Sequence, residues 1–378
     1  MRASRSFLVI LSLLVLLLVY IGLRLLPDLA LGLAGNLIGV LGLTLLGALV
    51  PIGLMSASLR RRRWSHLVGW CGLLSMGLFS SLLVTTLARD LVLLALMPVG
   101  LLDARIIYIS ALVAPLLALS VTVIGFVNAR RVARVVRINV PIRDLAPALH
   151  GYTIAQISDI HVGPTIKGPY LSAIVDKVNA LGADAIAITG DLVDGSVQRL
   201  GKHTEPLSRL RASDGVFFVT GNHEYYSGAD EWVAEVRRLG VTVLLNQHVL
   251  RRRGDACLMI AGVTDFSAHQ FNPAQRSDPQ RAAAGAGHEV DVRVLLAHQP
   301  RSASEAAAAG YDLQLSGHTH GGQFFPWNLF VPLQQPFVAG LNRVRDMWVY
   351  TSRGTGYWGP PKRFGAPSEI TLVRLVPA

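Results

Sequence analysis

The chain has 378 residues, 51% of them hydrophobic, and a formal net charge of +11. That length allows two or three domains, a mean hydropathy of +0.44 excludes an ordinary soluble composition, and a pI near 10.2 raises nucleic acid as a partner. Nucleic acid is not expected, because no aromatic–basic interleaving or nucleic-acid motif accompanies the charge. Cys71 and Cys257 are the only cysteines; they make no disulfide framework and suit a reducing compartment.

The apolar weight lies before about residue 128. Runs near 7–26, 29–55, 67–87 and 106–127 each reach the roughly 20 residues that cross a bilayer core. No small-x-small cleavage site follows Leu11–Tyr20, so the first run reads as a span and not a signal peptide. Leu91–Leu102 is short for a crossing and reads as a loop or interfacial piece. Basic residues set the orientation. Arg2 and Arg5 precede the first span, Arg60–Arg63 lie between the second and third, and Arg130, Arg131, Arg134 and Arg137 follow the fourth. Four spans put all three clusters on one side, so a multi-pass protein of the inner, cytoplasmic membrane is expected, with its C-terminal domain in the cytoplasm. Arg24, Arg89 and Asp90 are near span ends, which leaves too little buried charge for a transporter.

Residues 129–149 read as a basic juxtamembrane linker, begun by a helix leaving the membrane and broken by Pro141 and Pro147. From about 150 to 378, strand-like and helix-like segments alternate. Strands are expected at 152–157, 185–189, 216–220, 241–245, 248–252, 256–263, 292–297, 313–315, 348–351 and 370–375. Helices are expected at 169–181, 205–211, 230–239 and 302–309, with a long loop across 264–290. This alternation predicts an α/β domain with helices over the sheet faces.

The ends of the strands carry the chemistry. Asp159 and His161 follow YTIAQI; Asp191 and Asp194 follow DAIAI; Asn222, His223 and Glu224 follow VFFV; His298 follows VRVLLA; His318 and His320 follow LQL. Taken singly, each motif reads as a solvated turn or a satisfied core histidine. Together and in this order they point to the ligand-binding edge of an α/β sheet. Asp, His and Asn without Cys suit Mn, Fe or Zn, and the ligands are too many for one tetrahedral centre.

The set D-x-H, G-D-x-x-D, G-N-H-E, H and G-H-x-H resembles the calcineurin-like metallophosphoesterases over about residues 150–378. The tail from GHTHGGQ onward looks like their bacterial membrane-associated branch. The resemblance implies a sandwich of two mixed β-sheets flanked by helices and two divalent metal ions that clamp phosphate oxygens and acidify a water. It assigns Asp159, His161, Asp191 and His320 to one ion, and Asp191, Asn222, His298 and His318 to the other. His223 would serve the leaving oxygen, oriented by Asp194. Gly195 stands where the protein phosphatases of the superfamily carry a phosphate-gripping Arg; Arg353 and Arg363 are the candidate replacements. Phe324, Phe325, Trp327 and Phe330 could line an acyl groove and are read as core instead. The implied activity is hydrolysis of a phosphomonoester, phosphodiester or pyrophosphate, with a lipid-linked substrate suggested by the spans. The alternative is a membrane sensor or scaffold that binds a phospho-ligand without turnover.

Overall fold

The computed structural model describes residues 5–55, 65–287 and 289–378. Two compact units emerge: residues 1–128 with 359–362, and residues 129–358 with 363–378.

The first unit is helical: α1 (Arg5–Leu25), α2 (Gly32–Met55), α3 (Ser65–Leu96) and α4 (Ala104–Arg130). All four are long and apolar enough to cross a membrane. Their leucines point outward in large numbers, as lipid-facing side chains do. A side chain on either Gly53 or Gly72 would overlap the other's backbone, so α2 and α3 cross at a small-residue contact. α3 runs through Leu96, which corrects the reading of Leu91–Leu102 as a loop. Asp90 therefore lies within a helix, where Arg24 reaches it through two hydrogen bonds of 2.8 and 3.0 Å and Tyr20 donates to it at 2.6 Å. Arg89 is buried beside them, donating to Asp28, Ser110 and the Arg24 carbonyl. Each charge is paired, as charge in a membrane must be. Arg2 and Arg60–Arg63 lie outside the described residues.

The second unit begins earlier than the linker reading allowed. β1 (Arg134–Ile142) pairs in parallel with the last strand, so residues 134–142 form an edge strand and not a juxtamembrane linker. Its alternating Val and Ile face the core, and Pro141 is tolerated because the strand is at an edge. The other strands are β2 (Thr153–Ile157), β3 (Ala185–Ile188), β4 (Val216–Phe218), β5 (Thr242–Val243), β6 (Gln247–Arg253), β7 (Ala256–Gly262), β8 (Val292–Leu296), β9 (Leu313–Ser316), β10 (Gly340–Val344), β11 (Met347–Thr351) and β12 (Glu369–Pro377). One six-stranded sheet has the order β1-β12-β2-β3-β4-β5, the other β10-β11-β9-β8-β7-β6. Both are mixed. Parallel pairs run through β2-β3-β4-β5 and β11-β9-β8-β7, with antiparallel pairs toward the margins.

The helices of this unit are α5 (Gly168–Asn179), α6 (Val197–Thr204), α7 (Asn222–Ser227), α8 (Ala229–Arg238), α9 (Pro279–Ala283) and α10 (Ala303–Ala308). The segment expected as a helix over 205–211 is a 3-10 turn (Glu205–Arg209) extending α6, and the expected loop across 264–290 contains α9. Three apolar layers hold the sandwich. Ile154, Phe217, Leu258 and Leu296 fill the space between the sheets. Leu171, Ile174, Trp232 and Val236 seal α5 and α8 onto one outer face, while Ala303 and Ala306 pack α10 onto the other. At about 1.5–3 kcal/mol for each fully buried large aliphatic or aromatic side chain, these layers are the main stabilising contribution. The architecture is the expected one: two mixed sheets face to face with helices outside.

Candidate active site

β2, β3 and β4 of one sheet and β8 and β9 of the other all end at the same edge of the sandwich, and the loops that follow them bring the acidic and imidazole residues together. Gln156 in β2 donates to the Ser316 carbonyl in β9 at 2.9 Å, tying the two sheets directly beneath the site. The loops also bind one another: Asp159 N–H donates to Gly190 O at 3.0 Å, His161 N–H to Asp191 O at 3.1 Å, and Gly317 N–H to His298 O at 2.9 Å.

Ten non-glycine residues among those described have positive φ, and five of them are here: Asp159 (53°), His161 (56°), Asp191 (51°), His318 (70°) and His320 (51°). Each left-handed residue costs about 1–2 kcal/mol. Such a concentration marks a place where side-chain direction outweighs backbone comfort.

Three groups of ligand-type atoms result: Asp159, His161 and His320; Asp191, His298 and His318; and His161, Asp194 and His223. His161 Nε2 faces His320 Nε2 at 3.0 Å, and His298 Nε2 faces His318 Nδ1 at 3.2 Å. Asp191 Oδ2 lies between the first two groups, 3.2 Å from His298 Nε2 and 3.8 Å from His161 Nε2. Hydrogen bonds on the far side of two rings decide which nitrogens are free. His161 Nδ1 donates to Asp194 at 2.9 Å, and His298 Nδ1 donates to the Thr189 carbonyl at 2.8 Å, leaving both Nε2 lone pairs pointing inward. Asn222 Oδ1 is buried without a hydrogen-bond partner. An orphaned amide oxygen, two carboxylates and facing imidazole lone pairs form a donor set that divalent cations fit.

The electrostatics divide these ligands into two groups. Burial raises Asp159. Asp191 is also penalised by burial, but His298, His223 and His161 together outweigh this and hold it well below the usual carboxylate range. Burial lowers His318 to about 3 and, with the Arg363 charge beside it, holds His320 well below the usual imidazole range. Burial presses His298 down, but Asp191 and Asp159 lift its imidazole well above the usual range. A bound cation requires neutral imidazoles and ionised carboxylates, states that Asp191, His318 and His320 favour and that Asp159 and His298 would reach by releasing protons to solvent.

His223 and Asp194 form the expected pair, with His223 Nδ1 2.6 Å from Asp194 Oδ1. Asp194 thus holds two rings, His161 as well as His223. Burial presses His223 down, but the hydrogen bond to Asp194 and the nearby carboxylates lift it to about 9. The same two histidines draw Asp194 down to about 2 against its burial.

Glu224 is a structural member of the site that had no assigned role. Its carboxyl accepts N–H bonds from Gly221 (2.6 Å), Leu192 (2.8 Å) and Asp191 (3.0 Å), pinning the β3 and β4 loops together. Its place in G-N-H-E, at the third position of α7, was the available signal.

The two arginines differ. Arg363 is buried, and its guanidinium donates to the His320 and Gly356 carbonyls and lies 2.9 Å from His320 Nδ1. It braces the His320 loop from behind and has no face left for phosphate. Arg353 is ion-paired to Glu369 at 2.8 Å and lines a cavity of about 300 Å³ with Gly321, Phe325 and Asn328. The core reading of the aromatics holds for Phe324 alone; Phe325, Trp327 and Phe330 are exposed. The segment folds as two 3-10 turns, Trp327–Leu329 and Val331–Leu333, neither of which buries a residue.

The family model described as calcineurin-like phosphoesterase matches residues 152–322. A transmembrane protein with metallophosphoesterase domain from Danio rerio is 39% identical over 271 residues, covering 68% of this chain and 62% of the relative. A metallophosphoesterase from Campylobacter jejuni is 34% identical over 301 residues, covering 77% of each chain. One from Helicobacter pylori is 37% identical over 231 residues, or 59% of this chain and 60% of the relative. The chain spans about three-fifths of the length of the vertebrate relatives it matches. With the strand-end ligands assembled as described, the chain belongs to the calcineurin-like metallophosphoesterase family.

Proposed function

We propose that this protein is a membrane-anchored, dinuclear-metal phosphoesterase whose substrate is a phosphomonoester, phosphodiester or pyrophosphate, lipid-linked in the cell. The observation that carries the reading is the pair of ligand groups on either side of Asp191. Asp159, His161 and His320 would hold one ion, Asn222, His298 and His318 the other, and Asp191 both. Two divalent ions, of the Mn, Fe or Zn type, supply positive charge to the phosphate oxygens and an acidified water when bound.

The residues of the chain do the rest. Asp194 fixes the ring planes of His161 and His223. With Nδ1 committed to Asp194, His223 presents Nε2–H toward the centre, 3.9 Å from Asp191 Oδ2, as the proton donor to the leaving oxygen. Glu224 keeps the β3 and β4 loops in register while charge shifts. The four apolar helices and the basic residues after α4 support a cytoplasmic catalytic unit.

The test is hydrolysis of bis-p-nitrophenyl phosphate and of lipid pyrophosphates by purified full-length protein with Mn²⁺. Activity should vanish with chelator and in Asp191→Asn. Turnover that survives both would overturn the metal mechanism. Reporter fusions after Ala378 test the cytoplasmic placement.

A further inference from the structure

The catalytic unit exposes few large apolar side chains, and they are not scattered. Phe325 (55% exposed), Trp327 (40%), Leu329 (62%), Phe330 (52%) and Leu333 (80%) occupy one short segment just past the His318–His320 loop. This segment is tied to the site. Phe325 N–H donates to Phe364 O at 2.9 Å, and Gln323 exchanges hydrogen bonds with the Trp358 backbone at 2.8 Å in both directions. Trp358 and Tyr226, both exposed, set their rings edge-on to His223 at 5.7 and 5.2 Å, and exposed Phe271 packs against Tyr226 at 5.6 Å. Among the described residues of this unit, Leu250 is the one exposed large hydrophobic away from these segments. An apolar apron therefore borders the mouth of the metal site.

Soluble surfaces do not concentrate such residues without a partner. Three features identify it. The composition is Trp, Phe, Tyr and Leu, the residues that settle at the headgroup–acyl boundary. No Asp or Glu occurs between Asp312 and Asp346, so nothing in the segment repels an anionic surface. Arg301, anchored to the segment by a hydrogen bond to Gln334 O, lies at its margin as a cation for headgroups. The same chain supplies four membrane-crossing helices, so a bilayer is always at hand.

We propose that residues 325–333 insert into the interfacial layer of the bilayer and seat the mouth of the metal site against it, so that phosphoester substrates enter from the membrane plane. The docking stands on the surface alone; substrate entry rests also on the phosphoesterase reading.

The test uses full-length protein in nanodiscs of phosphatidylcholine and phosphatidylglycerol, with Cys71→Ala and Cys257→Ala. Nitroxide labels are placed at Leu329→Cys and, separately, at Leu333→Cys. Docking predicts collisional relaxation by oxygen, little by a water-soluble nickel chelate, and a depth of about 5–10 Å below the phosphates. Relaxation by nickel at both sites, or dipolar broadening between two copies of the chain, would overturn it. In parallel, Leu329→Ser with Leu333→Ser should lower turnover of a long-chain fluorogenic phosphodiester in vesicles about tenfold, because interfacial partition scales with apolar area. Turnover of soluble bis-p-nitrophenyl phosphate should not change. Equal loss on both substrates refutes membrane-plane entry. If the parent protein hydrolyses neither, the phosphoesterase reading and the entry route fail, while the label depths still decide the docking.

Discussion

Gly190 offers a stringent test of how tightly the loops position the metal ligands. Its φ is +89°, and a Cβ there would sit 2.7 Å from Gly221 N and 2.8 Å from His298 Nδ1, against 3.4 Å for ordinary contact. Gly190→Ala must therefore push the His298 ring and the β4 loop apart by roughly half an ångström each, and the left-handed backbone adds about 1–2 kcal/mol. Overpacking of this kind costs about 1–3 kcal/mol, so the total loss of stability should be about 2–5 kcal/mol. The functional cost is larger, because misplacement of a positioned group by about 1 Å can remove about 10²-fold in rate. Gly201→Ala is the control. It lies in α6, where a Cβ meets nothing closer than Glu235 Oε1 at 3.4 Å, and alanine favours a helix by up to about 1 kcal/mol. The assays are kcat/KM on bis-p-nitrophenyl phosphate with Mn²⁺, bound metal per chain, and thermal unfolding. A Gly190→Ala protein with parental kcat/KM and metal content would show that His298 is not held by this backbone contact, and the positional argument would fail.

Other consequences are equally direct. Because His223 is raised to about 9, its proton is kept through neutral pH and lost as pH rises past that value; Asp194→Asn removes the hydrogen bond that lifts it and should move the alkaline limb of the kcat/KM profile to lower pH, a shift whose absence would disprove the pairing. Chelation should lower the unfolding temperature of the catalytic unit, since a ligand at about 100 times its Kd contributes about 2.7 kcal/mol to the native state; differential scanning calorimetry with and without Mn²⁺ decides it. Leu258→Ala, between the two sheets, should cost about 2–5 kcal/mol by denaturant titration, with bound metal per folded chain unchanged. Glu224→Gln keeps size but weakens three N–H bonds; reduced metal occupancy with little change in secondary structure is expected by metal analysis and circular dichroism.

Much of the site was legible before any coordinates. A strand followed by glycine and a ligand-type residue is a local signal, because the strand is written in apolar alternation and the turn in Gly, Asp and Asn. Five such units in order sufficed to nominate Asp159 through His320. β1 was not legible: Arg134–Ile142 carries arginine at its exposed positions, and its partner, Glu369–Pro377, lies more than two hundred residues away. Arg363 was misread for a similar reason. Arg363 is read as a phosphate ligand by residue type, while burial behind His320 is a property of neighbours that a single chain position does not encode. The exposure of Phe325, Trp327 and Phe330 inverts the usual meaning of an apolar cluster, which composition alone assigns to a core.

The sequence by itself determined where the chain is lipid-soluble, where it alternates strand and helix, and which residues can bind a cation, because these follow from hydropathy, period and side-chain chemistry. Only the tertiary structure decided which nitrogen of each histidine faces inward, that Asp194 serves two rings, that Glu224 locks two loops, and which aromatics remain outside. Those are matters of distance between residues remote in sequence, set when two sheets close on a shared core.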